Sequence, residues 1–201
     1  MKKIIINEQQ LNFLLEQQGI DDFFEMMSET FPDSVYIMQF IKDFITKSGC
    51  KSIKVDSFKY PALGLSTING IVLNIKVFSL ELSYFLYVLF HEIAHQYQYK
   101  KYGIDKMYGC YTRDLSLREG ALFMKYCENI ADEFAMRKLR ELKKYFGDKL
   151  KITNQESKVY QDTPIEYFEK LIEKFIKIIE QKGYNDKNEI TEILYNFIKN
   201  G

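Results

Sequence analysis

The chain of 201 residues has only two histidines, His91 and His95, and they lie four positions apart. They fall in residues 80 to 100, a largely apolar segment that contains neither proline nor glycine. Such a segment predicts one long helix. Positions four apart on a helix project from the same side, one turn along the axis. The two imidazoles are therefore expected to share one metal ion.

The residue after the first histidine completes an HExxH sequence, His91-Glu92-Ile93-Ala94-His95. Glu92 is rotated away from the line of the imidazoles by one residue step, so its carboxylate is expected beside the ion, where it can accept a proton from water. Buried imidazoles without a metal would be costly. The pattern predicts a metal-dependent hydrolytic site with Glu92 as the general base.

A catalytic zinc site needs three protein ligands and one open position, so a third ligand must come from elsewhere. The second long predicted helix carries Glu128 and Asp132 four residues apart. We expect Glu128 to reach the metal and Asp132 to accept the outer N–H of an imidazole, most simply that of His91. Glu119, Asp132 and Glu133 remain alternatives for the third ligand. Ala131 and Ala135 are expected where the two helices approach closely.

Composition excludes several classes of protein. Lys and Arg together number 28, as do Asp and Glu, so the formal net charge is zero and a nucleic-acid or anionic-membrane partner is not expected. The three cysteines, Cys50, Cys110 and Cys127, form no CxxC pair and are expected as reduced thiols. The apolar run Ile4 to Ile6 is too short for a secretion signal. These features predict a cytoplasmic protein.

The N-terminal half is expected to mix helices and strands. Residues 1–7 suggest a short opening strand, residues 9–30 two short helices broken near Gly19, and residues 35–45 a helix that ends before Gly49. Period-two patterning from residue 51 to 78 predicts strands, with a type I′ hairpin turn at Asn69-Gly70. The returning strand should cover Ile71 to Phe78, and Ser79 should cap the following helix.

The C-terminal half is expected to be helical. Tyr102 to Asp114 suggests a loop, followed by a helix from about Ser116 to Phe146 that Gly147-Asp148 terminates. Thr163-Pro164-Ile165-Glu166 suggests a capping box that opens another helix, and a last helix covers about residues 187–199. We expect one domain over residues 1–201, with residues 150–201 as a C-terminal helical extension.

HExxH followed by E-x-x-A-[D/N]-x-x-A, which here spans Glu128 to Ala135, resembles the gluzincin metallopeptidases. Two groups share the pattern, the ImmA/IrrE-like peptidases and the HtpX-type minimal gluzincins. The order of strand, motif helix and Glu-bearing helix over residues 50 to 140 is more similar to ImmA/IrrE. The resemblance implies a zincin-like α+β fold in which a small antiparallel or mixed sheet precedes the active-site helix and a second, ligand-bearing helix. It also implies Zn²⁺ held by His91, His95 and Glu128.

The same resemblance implies a zinc metalloendopeptidase that cleaves an intracellular protein or peptide, of which a transcriptional repressor is the family's typical partner. The strand Ile71 to Phe78 could hold an extended substrate at an exposed edge, although an ordinary strand with a paired edge fits equally well. A further donor should stabilise the oxyanion. The candidates are Tyr97, Tyr99, Tyr102, Tyr108, Tyr111, Arg113 and Arg118. The alternative function is a non-catalytic binding protein on the same scaffold, which sequesters a regulator.

Overall fold

The computed structural model describes residues 8–150, 162–184 and 186–200, and within these ranges it gives no side-chain detail for residues 8–18 and 188. Six α-helices and three strands are described: α1 (Glu8–Thr30), α2 (Met38–Ser48), β1 (Ile53–Asp56), β2 (Gly64–Thr67), β3 (Gly70–Asn74), α3 (Leu82–Tyr108), α4 (Leu117–Phe146), α5 (Ile165–Lys182) and α6 (Lys187–Asn200). Short 3₁₀ turns cover Pro32–Ile37, Ile75–Ser79 and Gly147–Lys149. The protein is mostly helical with one small mixed sheet, which confirms the expected α+β class.

The first helix is continuous, and the prediction of two short helices broken at Gly19 was wrong. A glycine inside a helix costs roughly 0.5–1 kcal/mol relative to alanine. Tertiary packing outweighs that cost here, because the side chains of Phe23, Phe24 and Met27 are buried in the main core, which is the apolar cluster that α1 forms with α2, the sheet, α3 and α4. A Cβ at Gly19 would lie 3.6 Å from the Ile53 carbonyl oxygen, an ordinary contact. The predicted opening strand lies in residues 1–7, outside the described residues.

The sheet has the order β1-β3-β2, with β1 parallel and β2 antiparallel to the central strand. The prediction that this strand continues to Phe78 was wrong, because it ends at Asn74. The Asn74 side chain accepts a hydrogen bond from the Lys76 backbone N–H and starts the 3₁₀ turn. Since β3 is paired on both sides, the expected exposed edge on this strand is absent. Among the described strands, β2 has the unpaired edge that lies nearer to α3.

The hairpin turn also differs from the expectation. Ile68 and Asn69 form a two-residue turn, and Asn69 does not adopt the positive φ that a type I′ turn requires. The Thr67 hydroxyl accepts a hydrogen bond from the Asn69 N–H and donates one to the Gly70 carbonyl. These two bonds stabilise a hairpin turn that is not of type I′. Gly70 has φ 136° and would place a Cβ 2.3 Å from the Ser52 carbonyl oxygen, so close approach to the chain before β1 requires glycine there.

The helix α3 begins later and ends later than expected. Glu81 occupies the N-cap position without a side-chain cap, and Ser79 instead donates to the Lys76 carbonyl. The predicted loop from Tyr102 is helical as far as Tyr108, interrupted only by a non-helical residue at Gly103. The last turns stay helical because Tyr108 is buried in an apolar cluster with α5 and α6. The α3–α4 loop is therefore short.

The C-terminal half follows the expected order of helices. Ser116 and Glu119 form the capping box at the start of α4, and Pro164, which was expected as the first helical residue, occupies the N-cap position of α5. The helix α4 packs on both α3 and α5. At the far end of α6, Lys199 forms an ion pair of 2.7 Å with Asp56 of β1. Within the described residues, no helix is both long and apolar enough to cross a membrane.

Candidate metal centre

Three side chains from α3 and α4 converge on one point. The Nε2 atoms of His91 and His95 lie 3.0 Å apart. Glu128 Oε2 lies 3.1 Å from His91 Nε2, and Glu128 Oε1 lies 3.5 Å from His95 Nε2. A tetrahedral ion with ligand bonds of about 2.0–2.1 Å requires donor atoms about 3.3–3.4 Å apart. The observed spacings of 3.0 to 3.5 Å between the donor groups are close to that value. The group could hold a metal ion.

The packing of the two helices brings these donors together. One face of α3, including Phe90 and Ile93, is fully buried in the main core, which fixes the rotation of the helix. Ala131 and Ala135 on α4 are both 0% exposed, as the expected close approach of the two helices requires. Small side chains at such positions let helix backbones approach within the short end of the usual interaxial range. Glu128 thereby reaches the histidines from the neighbouring helix.

Asp132 lies behind His91. Its Oδ1 atom is 3.0 Å from His91 Nδ1, and the buried Tyr87 hydroxyl donates to the same carboxylate oxygen. An imidazole that donates from Nδ1 presents the Nε2 lone pair to a metal. The second Asp132 oxygen, Oδ2, is buried and has no hydrogen-bond partner among the described residues. A carboxylate held in this way favours positive charge at the site.

The two other acidic candidates point elsewhere. Glu119 accepts hydrogen bonds from Ser116 in the capping box, more than two helical turns before Glu128. Glu133 is exposed to solvent on α4. Among the three alternatives, only Asp132 lies at the cluster, and it contacts the outer nitrogen of a histidine.

Gln98 was not identified from the sequence, although it lies three residues after His95 on the same helix. Its Oε1 atom is 2.8 Å from His95 Nδ1, and its Nε2 donates to the Cys127 carbonyl at 2.8 Å. This side chain thus links the second histidine to α4 beside Glu128. The i,i+3 spacing could have suggested the contact. The bond to Cys127 depends on the packing of two helices and leaves no signal in the sequence.

Replacing Gln98 with alanine is expected to weaken zinc binding by about 10–100-fold, because partners that orient a ligating imidazole have effects of this size. Competition against a chromophoric zinc chelator measures the affinity. The matched control is Lys101→Ala on the exposed side of α3, which should leave the affinity unchanged. Equal affinities for the two variants would show that Gln98 does not orient His95.

Burial and charge shift the pKa values of the cluster in opposite directions. Burial alone lowers the pKa of His91, but hydrogen bonds to Asp132 and Glu128 outweigh it and raise the pKa to about 10. Burial also lowers the pKa of His95, but the charge of Glu128 outweighs this effect, and the pKa of His95 is raised. Although burial raises the pKa of Glu128, the two histidines hold it well below its usual range. Glu128 is therefore ionised at neutral pH, and the His91 imidazole favours its protonated form.

Binding of a divalent metal, with Zn²⁺ as the probe, is expected to release about one proton per ion at pH 7, because the metal must displace the proton held on the His91 imidazole. Since the raised pKa keeps this proton bound at pH 7, the apparent affinity should increase with pH until the pKa of His91, about 10, is passed. Isothermal titration calorimetry in two buffers with different ionisation enthalpies measures the release. A buffer-independent enthalpy would contradict the expected protonation of the site.

Glu92 lies beside the cluster and is only 7% exposed. Burial raises the pKa of its carboxyl group, an effect that the two histidines partly oppose. The side chain rests against β2, where a Cβ at Gly64 would lie 2.5 Å from Glu92 Oε1. Glycine at this position is what allows the carboxylate to lie against the strand.

A cavity of about 430 Å³ opens onto the cluster. His91, Glu92, His95 and Glu128 line one part of it, and β2 forms one wall. Cys127 also lines it, and burial raises the pKa of this thiol to about 12. Its sulfur is not among the donor atoms that lie close enough together to share one ion, which come from His91, His95 and Glu128. The cavity can therefore admit a ligand to a site whose donors are imidazole and carboxylate.

Three of the tyrosines proposed as oxyanion donors line this cavity: Tyr99, Tyr108 and Tyr111. The Tyr99 hydroxyl bonds to the Ser66 carbonyl and the Tyr108 hydroxyl to Thr191. Burial raises the pKa of the Tyr111 hydroxyl well above the usual value, so this hydroxyl stays protonated and is a candidate donor to a ligand in the cavity.

The remaining oxyanion candidates do not line the cavity. Tyr97 packs against Phe134, and Tyr102 packs against Phe123. Arg113 and Arg118 form ion pairs on the surface with Glu180 and Glu169 at 2.8 and 3.0 Å. The described part of the chain thus brings His91, Glu92, His95, Glu128 and Asp132 to one site, with Tyr111 among the cavity residues.

Comparison of this chain with family models, curated proteins and solved structures finds no match.

Proposed function

We propose that this chain is a zinc-dependent metallopeptidase of the gluzincin type. The observation that carries the proposal is the convergence of three donors, His91, His95 and Glu128, with Glu92 beside them in the same cavity. Structural zinc sites are usually closed by four protein ligands, whereas catalytic sites combine three ligands with an open position. Two imidazoles and one carboxylate are a donor set that zinc prefers.

The proposed hydrolysis follows from the side chains at this site. A zinc ion bound here supplies Lewis acidity, which acidifies water and polarises a carbonyl group. Glu92 takes the proton from the attacking water and later delivers it to the leaving amine. Burial raises the pKa of the Glu92 carboxyl group, and a higher pKa makes the carboxylate a stronger proton acceptor. Asp132 and Gln98 hold the two imidazoles in orientation.

The edge strand β2 supports a peptide as the substrate. Its residues Gly64 to Thr67 line the cavity, and the strand has a partner only on its β3 side in the described sheet. An extended peptide can pair with such an edge through main-chain hydrogen bonds, which do not depend on its sequence. The pairing would bring a peptide carbonyl along the strand towards Glu92.

The experiment that tests the proposal is cleavage of an unfolded protein by the zinc-loaded chain. Mass spectrometry of the products should show new peptide termini, which disappear with a chelator and return on addition of zinc. A helix-turn-helix repressor, the partner that the sequence resemblance suggests, should be tested beside it. Zinc binding with no cleavage of either protein would favour the alternative, a binding protein that sequesters its partner.

Replacing Gly64 with alanine is expected to lower the rate of hydrolysis by about 100-fold, because the new Cβ pushes the Glu92 carboxylate by about 1 Å and displacements of this size have such effects. Zinc affinity should be nearly unchanged, since Gly64 does not contact the three ligands. The control is Gly19→Ala, where the added Cβ meets only an ordinary contact of 3.6 Å. Full activity of the Gly64 variant would contradict the proposed role of Glu92.

A further inference from the structure

The cavity extends well beyond the metal centre. Its other walls come from the α3–α4 loop, α4 and the two C-terminal helices. Phe168, Leu171 and Phe175 line it from α5, and Leu194 and Ile198 line it from α6. Met124 lines it from α4, four residues before Glu128. We call the part lined by Met124, Phe168, Leu171, Phe175 and Leu194 the apolar pocket.

The apolar pocket and the metal centre differ in chemistry. The ionisable carboxylates and imidazoles of the cavity are Glu92, Glu128 and the two histidines, all at the metal end. The apolar pocket is lined by aliphatic, thioether and aromatic side chains, and every described lining residue is neutral there. Such a surface favours an uncharged, apolar group and penalises a charged one, which would lose its hydration without gaining a partner.

Two of the five residues that define the apolar pocket keep partly exposed side chains. Leu171 and Met124 pack against buried apolar clusters, yet both remain partly exposed while they line the cavity. A total cavity volume of about 430 Å³ lies within the usual range of ligand sites, roughly 300–1,000 Å³. An aromatic side chain can bury about 150–250 Å² in such a space. Methionine adapts its shape to different apolar groups.

We propose that the apolar pocket is a subsite that binds one large apolar side chain, aromatic or long aliphatic, next to the peptide bond that is cleaved. This inference rests on the proposed peptidase function. The occupant must reach both the pocket and the metal centre, because they are parts of one cavity, and a peptide does so with its side chain and its backbone. The C-terminal helices α5 and α6 thereby select the substrate.

The absence of tryptophan from the chain makes a direct binding experiment possible. The probe is a capped pentapeptide with one central tryptophan, titrated with the zinc-loaded Glu92→Gln variant so that it is not cleaved. We expect a saturable blue shift of the tryptophan emission. The same peptide with a central serine should compete at least about tenfold more weakly, since a poorly filled apolar pocket costs a factor of about 10–200.

A change inside the pocket tests its position. Leu171→Phe narrows the pocket and is expected to weaken binding of the tryptophan peptide by about tenfold or more. The matched control is Lys177→Phe, at an exposed position on the same helix that does not line the cavity, and it should leave binding nearly unchanged. Zinc content and thermal unfolding show whether each variant is folded.

The outcomes separate the subsite from the peptidase activity. Selective binding of the tryptophan peptide without its cleavage by the wild-type zinc protein would contradict the proposed function and support the pocket. Cleavage of tryptophan and serine peptides at equal rates would support the function and overturn the subsite. Equal binding of the two peptides in the wild-type pocket overturns the subsite even if Leu171→Phe does not fold.

Discussion

Glu92→Gln is expected to lower the rate of peptide hydrolysis by about 10²–10⁴-fold, because glutamine keeps the size of the side chain but cannot accept a proton from water. Zinc affinity should stay within about threefold of the wild type, since Glu92 is not one of the three ligands. The measurement is the initial rate on an unfolded protein or a peptide, together with the zinc content of the purified variant.

The control for this change is Glu133→Gln, which removes a carboxylate from the exposed side of α4. It alters the net charge by the same amount and should leave the rate unchanged. If the Glu92 variant cleaved at the wild-type rate, water activation at this site would not involve Glu92, and the peptidase mechanism would be wrong.

Glu128→Gln is expected to weaken zinc binding by more than about 100-fold. The reason is that removal of a partner outside the coordination shell already costs about 10–100-fold, and a neutral amide replaces a ligating carboxylate here. The variant also leaves His91 without one of the three carboxylates, those of Asp132, Glu128 and Glu92, that raise its pKa. Competition with a chelator of known affinity measures the loss, and Glu133→Gln again serves as the control.

A variant with unchanged affinity would show that Glu128 is not a ligand. The open question would then be which group completes the site, and Asp132 would be the next candidate because it already contacts His91. Hydrolysis should fall with zinc content in the Glu128 variant and recover partly at high zinc concentration. In the Glu92 variant it should not recover, which separates loss of the metal from loss of the base.

The site could be anticipated from the sequence because its residues are spaced by helical geometry. His91 and His95 share one face of α3 through their four-residue spacing, and Glu128 and Asp132 do the same on α4. The meeting of the two helices could be suggested only by the small residues Ala131 and Ala135. Contacts between helices that depend on side-chain conformation, such as that of Gln98 with the Cys127 carbonyl, could not be predicted.

Local sequence signals failed where tertiary contacts decide the structure. Gly19 does not break α1, because packing of the helix against β1 compensates for its cost. The third strand stops at Asn74, where a side chain bonds to the backbone and turns the chain. The position of β3 in the centre of the sheet results from its pairing with β1, which lies far away in the sequence. The unpaired edge therefore belongs to β2.

The choice among oxyanion donors illustrates the same limit. The sequence gives no reason to prefer any of the seven tyrosines and arginines near the motif as the oxyanion donor. In the structure they differ in whether they line the cavity. Tyr111 lines the cavity through the loop between α3 and α4, whereas Arg113, two residues later, pairs with Glu180 at the surface. The walls supplied by α5 and α6 were likewise unpredictable, because they depend on how the helices fold back over the site.

X-ray absorption at the zinc edge of the zinc-loaded protein tests the central claim most directly. The account predicts two imidazole nitrogens at about 2.0–2.1 Å, a carboxylate oxygen at about 2.0–2.2 Å and one further light-atom ligand from solvent. The spectrum should change when Glu128 is replaced by glutamine. A sulfur ligand at about 2.3 Å, or a spectrum that is identical in that variant, would contradict a site built from His91, His95 and Glu128.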